Sequence, residues 1–241
     1  MKPLIPNQHG AWAMLIIPFF LGIIISGGTW LHIPLFIAWF FLYLGTYPLL
    51  MNMKKKKKRP ELTRWGIFYL SIAFVMITIV LIYQWRMVYF GLAMLPFFLV
   101  NLYFTKKKRE RALWNDFSAI LSFCIGGMAS YYVGSQQVDS QCWMIGGISF
   151  LFFVGSTFYV KTMIREKKNV VFHRISWGYH IGIVLLFIFL REPFLFLAFF
   201  PSLLRAIMMV GRKISTNKIG VLEITNSVYM FLLVLVYFYQ Y

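Results

Sequence analysis

The sequence predicts an all-α, polytopic integral membrane protein. It is read as a single domain over 1–241 with about nine transmembrane helices, the N-terminus cytosolic and the C-terminus outside. Three observations carry this reading. The chain is 60% hydrophobic and only 13% charged, against ~25% charged residues in a soluble domain. Apolar runs of spanning length recur from one end to the other. The basic residues gather in every second loop between them. A net charge of +17 would suggest nucleic acid in a soluble protein. Here it sits in short loops beside apolar runs, so it reads as orientation and contact with anionic phospholipid on the cytosolic leaflet, with no nucleic-acid partner.

A helix needs ~17–25 apolar residues to cross ~30 Å of hydrocarbon. Only helices are expected, because backbone facing lipid must satisfy its own hydrogen bonds. Span one (11–27) follows Lys2 and lacks a small-residue cleavage site, so it reads as a retained span. Span two (33–51) runs into Lys54–Lys58 and Arg59, and span three (65–83) ends before Arg86. Span four (87–104) leads to Lys106, Lys107, Lys108, Arg109 and Arg111. Span five (117–134) carries Gly126, Ser130 and Gly134 at four-residue spacing, a stripe suited to close helix packing. Span six (142–160) leads to Lys161, Arg165, Lys167 and Lys168. Spans seven (175–190) and eight (194–211) are the least marked, since the first is short and the second carries Arg205. Span nine (219–239) closes the count.

With this threading, all of the 24 Lys and Arg residues except Arg86 and Arg191 fall on one side. That bias places the N-terminus in the cytosol, and losing one span would put later basic loops on the wrong side. Trp30, Trp85 and Trp143 fall where an interfacial belt is expected. In the lysine run, each residue near an anionic leaflet contributes about 1 kcal/mol, weakened by salt.

Polar residues inside apolar spans are expensive unless paired, so they are the candidates for chemistry. Arg205 lies about two turns inside the basic end of span eight, with Arg212 seven residues on and nearly on the same helical face. Both are expected either to hold an anionic group or, for Arg205, to snorkel or pair with a carboxylate. Glu223 is one turn inside span nine, with Asn226 and Ser227 completing a polar face. Asp116 opens span five beside Asn115, where an acid also suits the helix N-terminus. Asn52 and Asn101 add amides at the same depth. His9, in the passage Pro6 to Trp12, is a candidate to cover the inner mouth of a cavity or simply to be solvated. The catalytic candidates are therefore His9, Asp116 and Glu223. Phosphate or lipid binding is expected of Lys106, Lys161, Arg205 and Arg212, with Asn52, Asn101, Asn115 and Asn226 around the cavity. No metal ligands are assigned. His173 and His180 share a face but lack a nearby carboxylate, and Cys124 and Cys142 have neither metal spacing nor a disulfide framework.

The opening Pro-Asn-Gln-His-Gly-Ala-Trp-Ala-Met at 6–14, with Trp-Asn-Asp at 114–116, resembles the YwiC-like family of bacterial membrane proteins. This implies a multi-pass protein of the bacterial cytoplasmic membrane. A more distant likeness is to the UbiA superfamily of intramembrane prenyltransferases. Arg59-Pro60 with Gly66, and Tyr103 followed by Lys106 to Lys108 and Asn115, look like that family's passages before helix three and between helices four and five. The resemblance implies nine helices around a cytosol-facing cavity that binds an isoprenoid diphosphate with Mg²⁺. Its Asp-rich motifs, however, are missing. Asn52 stands at the start of the first and is followed by Met and lysines, and only Glu166 lies near the second. Hard cations want carboxylate oxygens. If the chain is an enzyme, it is a divergent transferase in which cationic side chains grip phosphate directly.

Three functions follow. The first is a UbiA-like protein that binds an isoprenoid or lipid phosphate, as a divergent transferase or a non-catalytic lipid binder. The second is a small anion- or proton-coupled transporter lined by Arg205, Asp116 and Glu223. The third is a structural membrane partner, for which the Gly/Ser face suffices. A polar route reaching both sides would favour transport, and a site open at one side and walled by aromatics would favour a lipid.

Overall fold

The computed structural model describes residues 4–6, 9–54, 59–212 and 214–240. Among these, every regular element is helical. The helices are α1 (His9–Ser26), α2 (His32–Met53), α3 (Pro60–Tyr83), α4 (Val88–Lys106), α5 (Leu113–Ser135), α6 (Ser140–Ile164), α7 (Val170–Phe189), α8 (Pro193–Met208) and α9 (Thr216–Gln240), with one 3-10 turn at Trp85–Met87. Each expected span coincides with one helix. Seven are long and apolar enough to cross a membrane, and α8 and the Gly10–Ser26 part of α1 are shorter apolar stretches. The chain is a polytopic membrane helical protein.

The boundaries move mostly at the basic ends, where helix continues past the apolar run. The hydrogen-bond ladder needs no apolar side chains, so capping rather than hydropathy sets these ends. Pro60, at the first turn of α3, has no N–H to lose there. Asn169 caps α7, its side chain accepting from the Phe172 N–H at 3.1 Å. In α8 the boundary moves the other way. The helix stops at Met208, and Gly211 takes φ 83° in the turn that follows. Arg212 therefore lies in an exposed loop, beyond the helix, and does not share the Arg205 face. That corrects the spacing argument, which assumed an unbroken helix.

The chain falls into two compact units. One is built on Pro18–Gly146, the other on His9–Ile17 and Gly147–Tyr241, so α1 and α6 contribute to both. In the first unit, Phe19, Leu31, Leu35, Val80, Met87, Ala129, Tyr132 and Val133 form a buried cluster. The small-residue stripe of α5 packs as its spacing suggests: Gly126 lies under the Trp39 ring, and Ser130 donates to the Phe19 carbonyl at 2.8 Å. His32 ties the same region by a bond from Nε2 to the Ser130 carbonyl at 2.9 Å. At one end of this unit, Lys54 pairs with Glu110 at 2.7 Å, so the basic loops after α2 and α4 lie side by side. At the other end, Gln84 donates to the Val133 carbonyl at 3.1 Å, and Trp30 meets Tyr83 edge-on at 4.8 Å.

The second unit has two chemically different halves. Toward the basic loops, Tyr159, Met163, Ala206 and Ile219 are buried together, with Trp177, Met209 and Ile214 against them. Trp177 donates its indole N–H to the Ala206 carbonyl at 2.8 Å. Toward the opposite end the packing is aromatic: Phe199 meets Phe152 at 5.9 Å and Phe187 at 5.0 Å between ring centroids.

Candidate functional site

The polar residues of α8 and α9 lie on the faces these helices bury. On α8 the buried positions are Leu195, Ala198, Phe199, Ser202, Arg205 and Ala206, and on α9 they include Ile219, Glu223, Asn226, Ser227, Met230 and Val234. Both sets follow the three- and four-residue steps of a helix face. The apolar pattern thus carries Arg205 and Glu223 inward with it. Arg205 donates from Nη1 to Glu223 Oε1, and Ser156 of α6 donates its hydroxyl to Glu223 Oε2. The Arg205 guanidinium also stands over the Tyr159 ring, 4.5 Å from its centroid, adding a cation–π contact. Three residues back along α8 and three forward along α9, Asn226 Nδ2 donates to Ser202 Oγ at 2.9 Å. Antiparallel helices bring such residues together, so the two helices are joined by two polar rungs.

Both oxygens of Glu223 are therefore occupied, and it serves as the counter-ion of Arg205. Arg205 is used only in part. It is 8% exposed, yet its Nε and Nη2 have no partner. Tyr159 Oη, Ser176 Oγ and His180 Nε2, all buried, have none either. Buried polar groups are normally bonded, so this group of unmet atoms is the most unusual chemical feature of the unit.

The other expected site residues distribute as follows. Lys161 is buried on α6 of the same unit, and Arg212 is exposed in the loop after α8. Lys106 is exposed at the end of α4, and Asp116 is in the first turn of α5, both in the first unit. His9 opens α1, and its side chain lies outside the described residues. Among the four amides, Asn226 alone belongs with Arg205 and Glu223. Asn52 staples the α2–α3 connection, donating to Thr63 Oγ1 at 3.0 Å and accepting from the Arg59 N–H at 2.9 Å. Asn115 donates to the Glu110 carbonyl at 2.8 Å, and Asn101 bonds back to Phe97 within α4 at 2.8 Å. These three amide N–H groups satisfy nearby backbone or side-chain oxygens. His173 and His180 also part ways, as His173 Nε2 bonds the Glu166 carbonyl at 3.0 Å.

Ser156, Tyr159, Ser176 and Ser202 escaped the sequence reading. Serine and tyrosine are ordinary in apolar helices, and only their placement on buried faces distinguishes them. The one available signal was Ser202 three residues before Arg205, matching Asn226 three residues after Glu223.

Magnesium does not fit the residues present. Where the first Asp-rich motif would begin, Asn52 spends its amide on the loop. Near the second, Glu166 accepts from Asn169 Nδ2 at 2.9 Å in an exposed turn. Among the described residues, no three His, Cys, Asp or Glu side chains are grouped to hold a metal ion.

The family described as YwiC-like protein matches residues 5–131, which take in the 6–14 opening and the Trp-Asn-Asp at 114–116. The chain belongs to the YwiC-like family. It is 45% identical over 229 residues to the uncharacterized protein YwiC of Bacillus subtilis, covering 94% of this chain and 95% of that one. It is 42% identical over 236 residues to an uncharacterized protein of Haemophilus influenzae, covering 98% and 99%. No solved structure matches. Neither the family match nor these two relatives extends to the UbiA superfamily.

Proposed function

We propose that the protein binds an isoprenoid or lipid phosphate inside the bilayer, from the basic ends of α6 to α9. We place those ends at the cytosolic face of the bacterial cytoplasmic membrane. The observation that carries this is the half-used Arg205. A buried guanidinium with two nitrogens unmet is a ready clamp for phosphate oxygens, and an unpaired one is costly to keep. The halves of the second unit favour a lipid over a conducted solute: polar atoms sit toward the basic loops, while Phe152, Phe187 and Phe199 pack the opposite half. Basic loops at those ends raise the local concentration of anionic headgroups. The residues suit a holder of lipid phosphate, or a transferase that uses cationic side chains in place of Mg²⁺.

The test is native mass spectrometry of protein purified in mild detergent, with bound lipids identified. The wild type is compared with a variant carrying Arg205→Gln and Glu223→Gln, which keeps a polar rung but removes both charges. A co-purified polyprenyl phosphate that falls at least about tenfold in the variant is expected, the loss of one charged hydrogen bond being of that order. Bulk phospholipid alone, unchanged by the variant, would overturn the reading and favour transport. The orientation has its own check. A reporter fused after Tyr241 is expected to read outside, and one inserted between Lys107 and Lys108 inside; the reverse at either place refutes the threading.

A further inference from the structure

The unmet buried atoms of Arg205, Tyr159, Ser176 and His180 are of two kinds, and the difference selects a headgroup. His180 Nδ1 lies 2.7 Å from the Ser176 carbonyl. A carbonyl oxygen only accepts, so Nδ1 carries the proton, and in the neutral ring Nε2 is a lone-pair acceptor. Nε2 is buried and has no partner. Gly155 of α6 sits opposite it, and a Cβ added there would lie 3.1 Å from Nε2, so glycine leaves that edge of the ring uncovered. Gly155 is one residue before Ser156 and four before Tyr159 on α6, so His180 meets the same stretch of α6 that bonds Glu223 and stacks on Arg205. The other unmet atoms are donors or can donate: Arg205 Nε and Nη2, Tyr159 Oη and Ser176 Oγ. The buried charges here, Arg205 and Glu223, cancel. Lys161, two residues past Tyr159, points about 200° away around α6.

Resting on the lipid-phosphate reading, we infer that this constellation binds a singly protonated phosphate monoester. Phosphate oxygens accept from Arg205, Tyr159 and Ser176, and the P–OH donates to His180 Nε2. A phosphodiester offers acceptors only and leaves Nε2 buried and unmet. A diphosphate brings more negative charge than a neutral site balances. Arg205, Tyr159, Ser176 and His180 are all buried as the helices stand. A ligand enters when neighbouring side chains repack, and Met163 and Met209, which pack with Tyr159 and Ala206, are suited to it.

The experiment measures binding to detergent-solubilised full-length protein of farnesyl monophosphate and of its methyl ester, which keeps one negative charge but has no P–OH. At pH 6 about half of the monoester retains its second proton. The monophosphate is expected to bind at least about tenfold tighter than the ester, the penalty for an unmet buried acceptor. That preference should vanish in His180→Ala, and also in Gly155→Ala, whose methyl presses on Nε2 and covers it while keeping the imidazole in the protein. Ester binding that survives in each variant certifies its fold. Equal binding of both ligands to the wild type would overturn the monoester assignment while leaving a lipid-phosphate site. Binding of neither would overturn the lipid-phosphate reading itself.

Discussion

Glu223→Ala is expected to lower stability by about 3–5 kcal/mol, the usual consequence of leaving a buried charge without its partner. Glu223 and Arg205 are 6% and 8% exposed at their side chains, so water cannot replace the missing carboxylate. Ser156 would also lose its acceptor. In a thermal melt in detergent, this corresponds to a fall on the order of 10 °C. The double substitution Arg205→Met with Glu223→Leu should recover most of that loss, because an apolar pair of similar volume removes the desolvation penalty along with the attraction. It should not recover lipid binding. A single variant melting within about 2 °C of wild type would show that the pair contributes little to the fold. A double variant that still holds lipid phosphate would remove Arg205 from the site.

Gly22→Ala is expected to be nearly as damaging, for a steric reason. A Cβ at position 22 would lie 2.5 Å from the Gly127 carbonyl oxygen and 2.6 Å from the Tyr131 nitrogen. These are backbone atoms of α5, and a helix backbone cannot turn aside as a flexible side chain can. The α1–α5 contact must open, which works against the bond from Ser130 to the Phe19 carbonyl. Overpacking of this kind costs about 1–3 kcal/mol and more where backbone meets backbone. It must also exceed the roughly 0.5–1 kcal/mol that alanine gains over glycine within a helix. Gly91→Ala isolates that gain, since a Cβ there meets nothing within 4 Å. The expected melting order is therefore Gly91→Ala at or above wild type and Gly22→Ala well below it. Equal melting of the two variants would remove close packing of α1 on α5 as a source of stability.

The polar residues divide by how visible their roles were. Arg205 and Glu223 stood out because a charge within an apolar run is rare, and pairing with a carboxylate was one of the two expectations for Arg205. Their separation of 18 residues on consecutive helices made that pairing accessible to a reading of spacing. Ser156 is 67 residues from Glu223, and no local pattern joins them. Asn52 and Asn115 stood out as polar groups at the lips of apolar spans, yet they close turns, because amides at helix ends are near backbone groups that need partners. His180 looked like half of a weak metal pair, and its neighbour in that pair bonds elsewhere. Arg212 was misplaced by extending α8 through a segment that the Gly211 turn ends.

By itself the sequence determined that the protein is helical, that the nine helices of its described residues run where the apolar runs are, and that its basic residues collect in alternate loops. Lipid enforces these features one segment at a time: each segment must be long, apolar and internally hydrogen-bonded whatever its neighbours do. Only the tertiary structure decided which buried polar atoms meet and which are left over. Rotation about each helix axis is set by packing against the other helices, and that rotation brings Arg205 to Glu223 and Tyr159 while leaving His180 Nε2 facing the gap at Gly155.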